Sequence, residues 1–219
     1  MNHGHRDPLP DGARPLVHDL GRWLASWVHR PAFRIRVRGR DRVPRTGPVV
    51  LVANHSSLVE PQVIFGLLRR RPVFLVKAEL AAGMLGRPLR WLGQLTINRG
   101  AAERGPLLTA VAILREGGLI GVFPEGTRGS GDVNHAEQGA AWLVRATGAT
   151  VLPIATRGTL RPPGGRRRFR PKLDVLIGAP FALSVQRGRT GLVAATEEIR
   201  GRLADLVSEL DEQRSATTK

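Results

Sequence analysis

Cysteine is missing from this 219-residue chain, and with it go disulfides, thiolate zinc sites and thiol nucleophiles. The composition is compatible with the cytoplasm. Tyrosine is absent too, and aromatic residues are only 5% of the chain, so a base-stacking platform has little to be built from. Acidic side chains are scarce. Eighteen Asp and Glu stand against 34 Lys and Arg, a formal net charge of +16 with a pI near 11.8. Such an excess implies an anionic partner, which nucleic acid, an acidic membrane surface or phosphorylated substrates would each satisfy. No stretch reaches the roughly 18 apolar residues of a spanning helix, and residues 1–14 are polar and proline-containing, unlike a signal peptide. The chain is expected not to cross a membrane. It carries no Gly-x-Ser-x-Gly elbow, phosphate-binding P-loop, His-Glu-x-x-His zinc motif, helix-turn-helix or zinc finger, and no internal repeat.

What is present suits one core. With 42% apolar residues and no linker, a single domain is the expectation: a polar tail over 1–14, an amphipathic helix over 15–30, the main domain over 31–213 and a tail over 214–219. In the helix, Leu16, Val17, Leu20, Trp23, Leu24, Trp27 and Val28 recur at helical spacing beside His18, Arg22, His29 and Arg30. Two readings are open from periodicity: a helix lying in the interface of an anionic bilayer, or one packed on the domain's own core. Next, Arg34, Arg36 and Arg38 alternate with Ile35 and Val37, the pattern of a half-buried edge strand. Apolar, β-branched runs at 49–53, 73–76, 119–123, 150–154 and 172–177 read as strands. Helical patterns fall at 61–70, 101–116, 138–147 and from Thr190 onward. Strands alternating with helices predict an α/β domain with a mostly parallel central sheet flanked by helices.

Two segments stand at the ends of buried strands: Asn54-His55-Ser56-Ser57-Leu58-Val59-Glu60 and Phe123-Pro124-Glu125-Gly126-Thr127-Arg128. Open α/β sheets place their ligands there. His55 with a carboxylate five positions on supplies a base and an orienting partner, and the second segment supplies a glycine-permitted turn followed by a fixed positive charge. Glu60 has a second reading, since Ser57-Leu58-Val59-Glu60 matches a helix capping box. Pro61 opposes it by favouring a helix start at Glu60 or Pro61.

With Ile97-Asn98-Arg99 and Val151-Leu152-Pro153-Ile154, the two segments make four blocks whose order resembles the glycerolipid acyltransferases, the lysophosphatidate acyltransferases, over residues 47–180. The resemblance implies transfer of a fatty acyl chain from a thioester of coenzyme A or acyl carrier protein to the hydroxyl of a lysophospholipid, with lysophosphatidate the expected acceptor. His55 would be the base and Glu60 its orienter, standing where the family carries aspartate. Arg99 and Arg128 would hold the acceptor's phosphate. Glu125, Gly126 and Thr127 would form the substrate-binding loop, Glu125 fixing either the loop or the acceptor's glycerol. Lys77, just after a strand, is either a further phosphate contact or a solvated strand end. Asn98 stands where the family often has aspartate, and Glu137-Gln138 where it usually has a basic residue. The family implies no metal and no resident cofactor, and a peripheral position on the cytoplasmic face of the cell membrane against anionic lipid. Residues 83–93 read as ordinary core packing or as an acyl groove. The competing readings are a lipid-binding relative without activity and a nucleic-acid-binding protein, the latter prompted by Arg166-Arg167-Arg168.

Overall fold

The buried β-branched runs assemble a seven-stranded sheet in the computed structural model, which describes residues 7–98, 104–126, 129–160 and 169–216. The strands are β1 (Arg34–Arg38), β2 (Val49–Ala53), β3 (Pro72–Lys77), β4 (Leu95–Ile97), β5 (Leu119–Val122), β6 (Thr150–Arg157) and β7 (Lys172–Ile177). Their order is β1-β7-β6-β2-β5-β3-β4, and every pairing is parallel except that of β6 with β7. β2 lies at the centre with all five residues buried. Its alternating side chains explain the unbroken apolar run. Val50 and Val52 face one core layer, Val49, Leu51 and Ala53 the other.

Among the described residues, six α-helices flank the sheet: α1 (Pro15–Val28), α2 (Val59–Leu67), α3 (Gly86–Trp91), α4 (Gly105–Arg115), α5 (Gly139–Thr147) and α6 (Gly188–Ala216). α4, α5 and the first half of α6 bury Leu114, Leu143 and Ile199 against Val50, Ile120 and Val151. The second half of α6 seats Leu203, Leu206, Val207 and Leu210 on Ala155 and Leu176. On the opposite face, α2 packs Val63, Ile64 and Phe65 against Leu51, Leu152 and Val175.

α1 lies over α2 with its polar and small residues inward. His18 is fully buried and bonds the carbonyl of Leu92 through Nδ1 at 2.7 Å. Gly66 of α2 admits the α1 backbone, since a Cβ there would meet Ser26 N at 2.5 Å. Leu16, Leu20, Trp23, Leu24, Trp27 and Val28 all face outward and are more than half exposed.

Several elements differ from the sequence expectation. β1 is an edge strand with Arg34 and Arg36 exposed, as its alternation predicts. β4, three residues long, was not foreseen because so short an edge strand has no legible period. The helices expected over 61–70 and 101–116 are Val59–Leu67 and Gly105–Arg115. Residues 83–93 do not pack as core throughout: Met84 is 95% exposed and Leu85 57%. Nor is the polar segment ahead of α1 a free tail from Asp7 onward. Asp7 is buried in an ion pair with the buried Arg70 and accepts the Arg71 amide at 2.9 Å. At the other end α6 runs on to Ala216, and Arg214 pairs there with the buried Asp174. Residues 214–216 thus belong to the fold and not to a tail.

Candidate active site

The site forms where β2 gives way to α2, at the C-terminal edge of the parallel strands. Asn54, the first residue past β2, is fully buried and bonds chiefly to backbone. Its Nδ2 donates to the carbonyls of Gly131 and Thr156, both at 3.0 Å, while Oδ1 accepts from the Thr156 amide at 2.7 Å and the Thr156 hydroxyl at 3.0 Å. The amide side chain latches β2, the end of β6 and the loop after β5 together. Gly131 has φ +76°, and a Cβ there would approach Asn54 Nδ2 to 2.9 Å.

His55 is fixed at three points. Its amide donates to Glu125 Oε1 at 2.7 Å, its carbonyl accepts the Gly129 amide at 3.0 Å, and its Nδ1 lies 3.1 Å from Glu60 Oε2. The ring rests on Phe123 with centroids 4.6 Å apart. A carboxylate at Nδ1 selects the tautomer protonated there, which leaves the Nε2 lone pair for an incoming proton. The side chain is 15% exposed, open enough for a substrate to reach it.

Glu60 sits in the first turn of α2, fully buried. Its Oε2 accepts from His55 Nδ1 and from the amides of Ser56 at 2.8 Å and Ser57 at 2.9 Å. Oε1 accepts from the hydroxyls of Ser56 and of Thr159, the latter at 2.6 Å. Burial pushes the carboxyl's pKa up, but the bonds from His55, Ser56, Ser57 and Thr159 outweigh it and hold the group below the usual carboxylate range. The capping box expected at Ser57 does not form: the helix begins at Val59 with Leu58 at its N-cap and no side-chain cap bond, which puts Pro61 and not Glu60 at the position of a capping-box acid. Glu60 instead takes the Ser56 and Ser57 amides of the turn ahead of the helix, where Ser57 Oγ accepts the Val59 amide at 3.1 Å. The same carboxylate faces the imidazole.

Glu125 fixes the loop. It is 4% exposed, and its carboxylate takes the amide of His55. Burial raises its pKa, against the amides of His55 and Val133, which lower it. Gly126 adopts φ +71°, the left-handed conformation that the turn was expected to need. Lys77 closes β3 at the same edge, half-buried, and Asn98 is exposed just past β4. Arg99, Thr127 and Arg128 lie outside the described residues, as do Arg166, Arg167 and Arg168.

Sequence reasoning missed several groups that hold this edge together. Arg157, at the end of β6, bonds Asp211 of α6 through Nε at 2.9 Å, Asp132 through Nη2 at 2.6 Å and the Gly131 carbonyl through Nη1 at 3.0 Å. It clamps the segment following Arg128 onto α6. Thr159 lies 99 positions beyond Glu60 and reaches its carboxylate only through the fold. No local pattern marks either residue, because their partners come from other elements.

A histidine whose Nδ1 faces a buried carboxylate thus stands at the C-terminal edge of a mostly parallel sheet, where such sheets hold their ligands. The chain belongs to the Acyltransferase family, whose model matches residues 34–157, more than half of its length. It is similar to the 1-acyl-sn-glycerol-3-phosphate acyltransferase of Bacillus subtilis, 27% identical over 186 residues that cover 81% of this chain and 90% of that protein. A relative with the same description from Chlamydomonas reinhardtii is 31% identical over 73% of this chain but only 49% of its own length. Among solved structures, the 1-acyl-sn-glycerophosphate (LPA) acyltransferase PlsC from Thermotoga maritima superposes with a TM-score of 0.65 at 26% identity, covering 90% of this chain and 78% of that one.

Proposed function

We propose that the enzyme transfers a fatty acyl chain from a thioester to the free hydroxyl of a lysophospholipid, with 1-acyl-glycerol-3-phosphate as acceptor and phosphatidate as product. The observation that carries this is the His55–Glu60 couple at 3.1 Å, its Nε2 left for substrate, in a chain of the Acyltransferase family. His55 Nε2 takes the acceptor's hydroxyl proton as the oxygen attacks the thioester carbonyl. The C–O bond forms, the C–S bond breaks on collapse of the tetrahedral intermediate, and the proton passes from the imidazolium to the departing thiolate. Glu60 stabilises the imidazolium while it exists. No acyl-enzyme intermediate, metal or resident cofactor enters the reaction. Arg99 and Arg128 hold the acceptor's phosphate, a task suited to a permanently charged fork, with Lys77 as a further cation. Glu125 shapes the loop by its bond to the His55 amide, while Gly126 permits its turn and Thr127 completes it.

The protein acts from the cytoplasmic face of the cell membrane, peripherally. No helix among the described residues is long and apolar enough to cross a bilayer, yet α1 turns Leu20, Trp23, Leu24 and Trp27 outward beside Arg30. Such a face suits the interface of an anionic bilayer, with tryptophan at headgroup level. More exposed apolar groups ring the strand ends that carry the site: Leu58 after β2, Leu80 and Met84 after β3, Leu160 after β6 and Phe169 before β7. Arg170, next to Phe169, donates to the Arg30 carbonyl at 2.8 Å and ties this rim to the end of α1. Acyl-coenzyme A or acyl carrier protein delivers the donor.

The test is product analysis by mass spectrometry, offering the purified protein acyl-coenzyme A or acyl carrier protein thioesters with several lysophospholipids. A diacyl product, lost in His55→Ala with the fold intact by circular dichroism, is expected. No product with any pairing, or wild-type turnover in His55→Ala, would overturn the reading.

A further inference from the structure

We propose that Thr159, together with Ser56, is a positioning residue for catalysis, holding the outer oxygen of Glu60 so that the inner one meets the imidazole; the inference rests on the base-and-carboxylate reading above. The two oxygens of Glu60 have separate duties. Oε2 takes three N–H groups, two from the backbone of the turn ahead of α2 and one from His55. Among the described residues, Oε1 takes no N–H. It is met by the hydroxyls of Ser56 and Thr159, which stand 3.0 Å from each other. A hydroxyl has one proton to give. An ionised carboxylate only accepts, so both protons go to Oε1, and the short distance between the two hydroxyls follows from their sharing one acceptor.

The division separates a catalytic role from a merely structural one. The turn ahead of α2 is held on Oε2 through the Ser56 and Ser57 amides, and Thr159 adds nothing to it. What Thr159 adds is an attachment to a different element: it follows β6, whose end is clamped by Arg157 to Asp211 and Asp132. The carboxylate is thus held by the β2–α2 loop on Oε2 and by that loop together with the segment after β6 on Oε1, which fixes rotation about its last torsion. A terminal carboxylate torsion is otherwise broad. This also accommodates glutamate where the family carries aspartate. The extra methylene adds a torsion to be restrained, and the hydroxyl pair restrains it.

Thr159→Val keeps the shape and removes the donor, whereas Thr159→Ser keeps the donor and removes the methyl. Both are assayed as full-length purified protein, with acyl-coenzyme A and 1-acyl-glycerol-3-phosphate, beside His55→Ala. Thr159→Val should lower kcat about tenfold, the scale of a lost hydrogen bond to a charged group, with the acceptor KM nearly unchanged and the melting temperature within a few degrees of wild type. The acid limb of its rate profile should move to higher pH, because ionised Glu60 has lost a donor. Thr159→Ser should recover most of the rate and the original limb. Wild-type kcat and an unmoved limb in Thr159→Val, alongside an inactive His55→Ala, would overturn the role of Thr159 and leave the base in place. A rate loss in Thr159→Val that tracks loss of folded protein, with the limb unmoved, would overturn it as well. An active His55→Ala would instead remove the reading on which the inference stands.

Discussion

Replacing Glu60 by glutamine separates charge from geometry at this site. If the amide oxygen takes the place of Oε2, it still accepts from His55 Nδ1 and from the amides of Ser56 and Ser57, and the new NH2 group can donate to the hydroxyls of Ser56 and Thr159, which turn to accept. The turn ahead of α2 survives. What disappears is a full negative charge beside an imidazole that becomes positive in the transition state. At ~4 Å and an effective dielectric near ~20 such a pair interacts by about 4 kcal/mol. The amide dipole and reorganisation recover part of this, so a loss of about 1.4 to 3 kcal/mol of transition-state stabilisation is expected, roughly ten- to a hundredfold in kcat. The measurement is single-turnover acyl transfer, where chemistry limits the rate, with acceptor KM followed in parallel. Stability gives a second readout with a definite sign. The carboxyl is held below its ordinary value of 4.5, so its contribution is present above that pH and is lost as pH falls through the lower folded-state value. Glu60→Gln should lack this acid-side loss. Wild-type turnover in the glutamine protein would refute the electrostatic argument and leave Glu60 only its bonds to the turn ahead of α2.

Three further outcomes are expected. Leu24→Glu, on the outward face of α1 where Leu24 is 51% exposed, should release the protein from anionic vesicles in a flotation assay with little change in melting temperature; unchanged binding would remove α1 from the interface. Asp7→Ala leaves the buried Arg70 without its carboxylate and should cost about 3 kcal/mol in urea unfolding, the scale for breaking a buried pair; a change below about 0.5 kcal/mol would show that the pair is dispensable. His18, whose pKa burial lowers from 6.5 to about 4, binds protons more readily unfolded than folded. Stability should therefore be full above pH 6.5 and decline towards pH 4, by at most about 3 kcal/mol, and His18→Leu should flatten that slope in pH-dependent thermal melts.

The core was legible because its strands are buried on both faces and read as unbroken β-branched runs, β2 most plainly. α6 was legible for the corresponding reason of period: Leu192, Ile199, Leu203, Leu206, Val207 and Leu210 recur at helical spacing and are buried, while Val193 is exposed. Periodicity establishes that one face of α1 is apolar but not which way it points. The direction is decided by Gly66, by buried His18 and by ion pairs of Asp7 and Asp19 with Arg70 and Arg71, contacts that cross from one element to another. The same contacts make this end of the chain part of the fold as well as the owner of an outward apolar face.

The candidate site divides along the same line. By itself the sequence determined six of the seven strands, the strand ends at which the motifs stand, and the His55, Glu60 and Glu125 segments, since these depend on residues close together in the chain and on the period of burial. Tertiary structure alone decided that Glu60 binds the turn ahead of α2 and faces His55 at once, that Glu125 takes the His55 amide, that Asn54 latches β2 to β6 and the loop after β5, and that Thr159 and Arg157 brace the edge. The physical reason is that a hydrogen bond between distant segments leaves no trace in local composition. Its partners become neighbours only when burial of the sheet brings the ends of β2, β5 and β6 to a common edge.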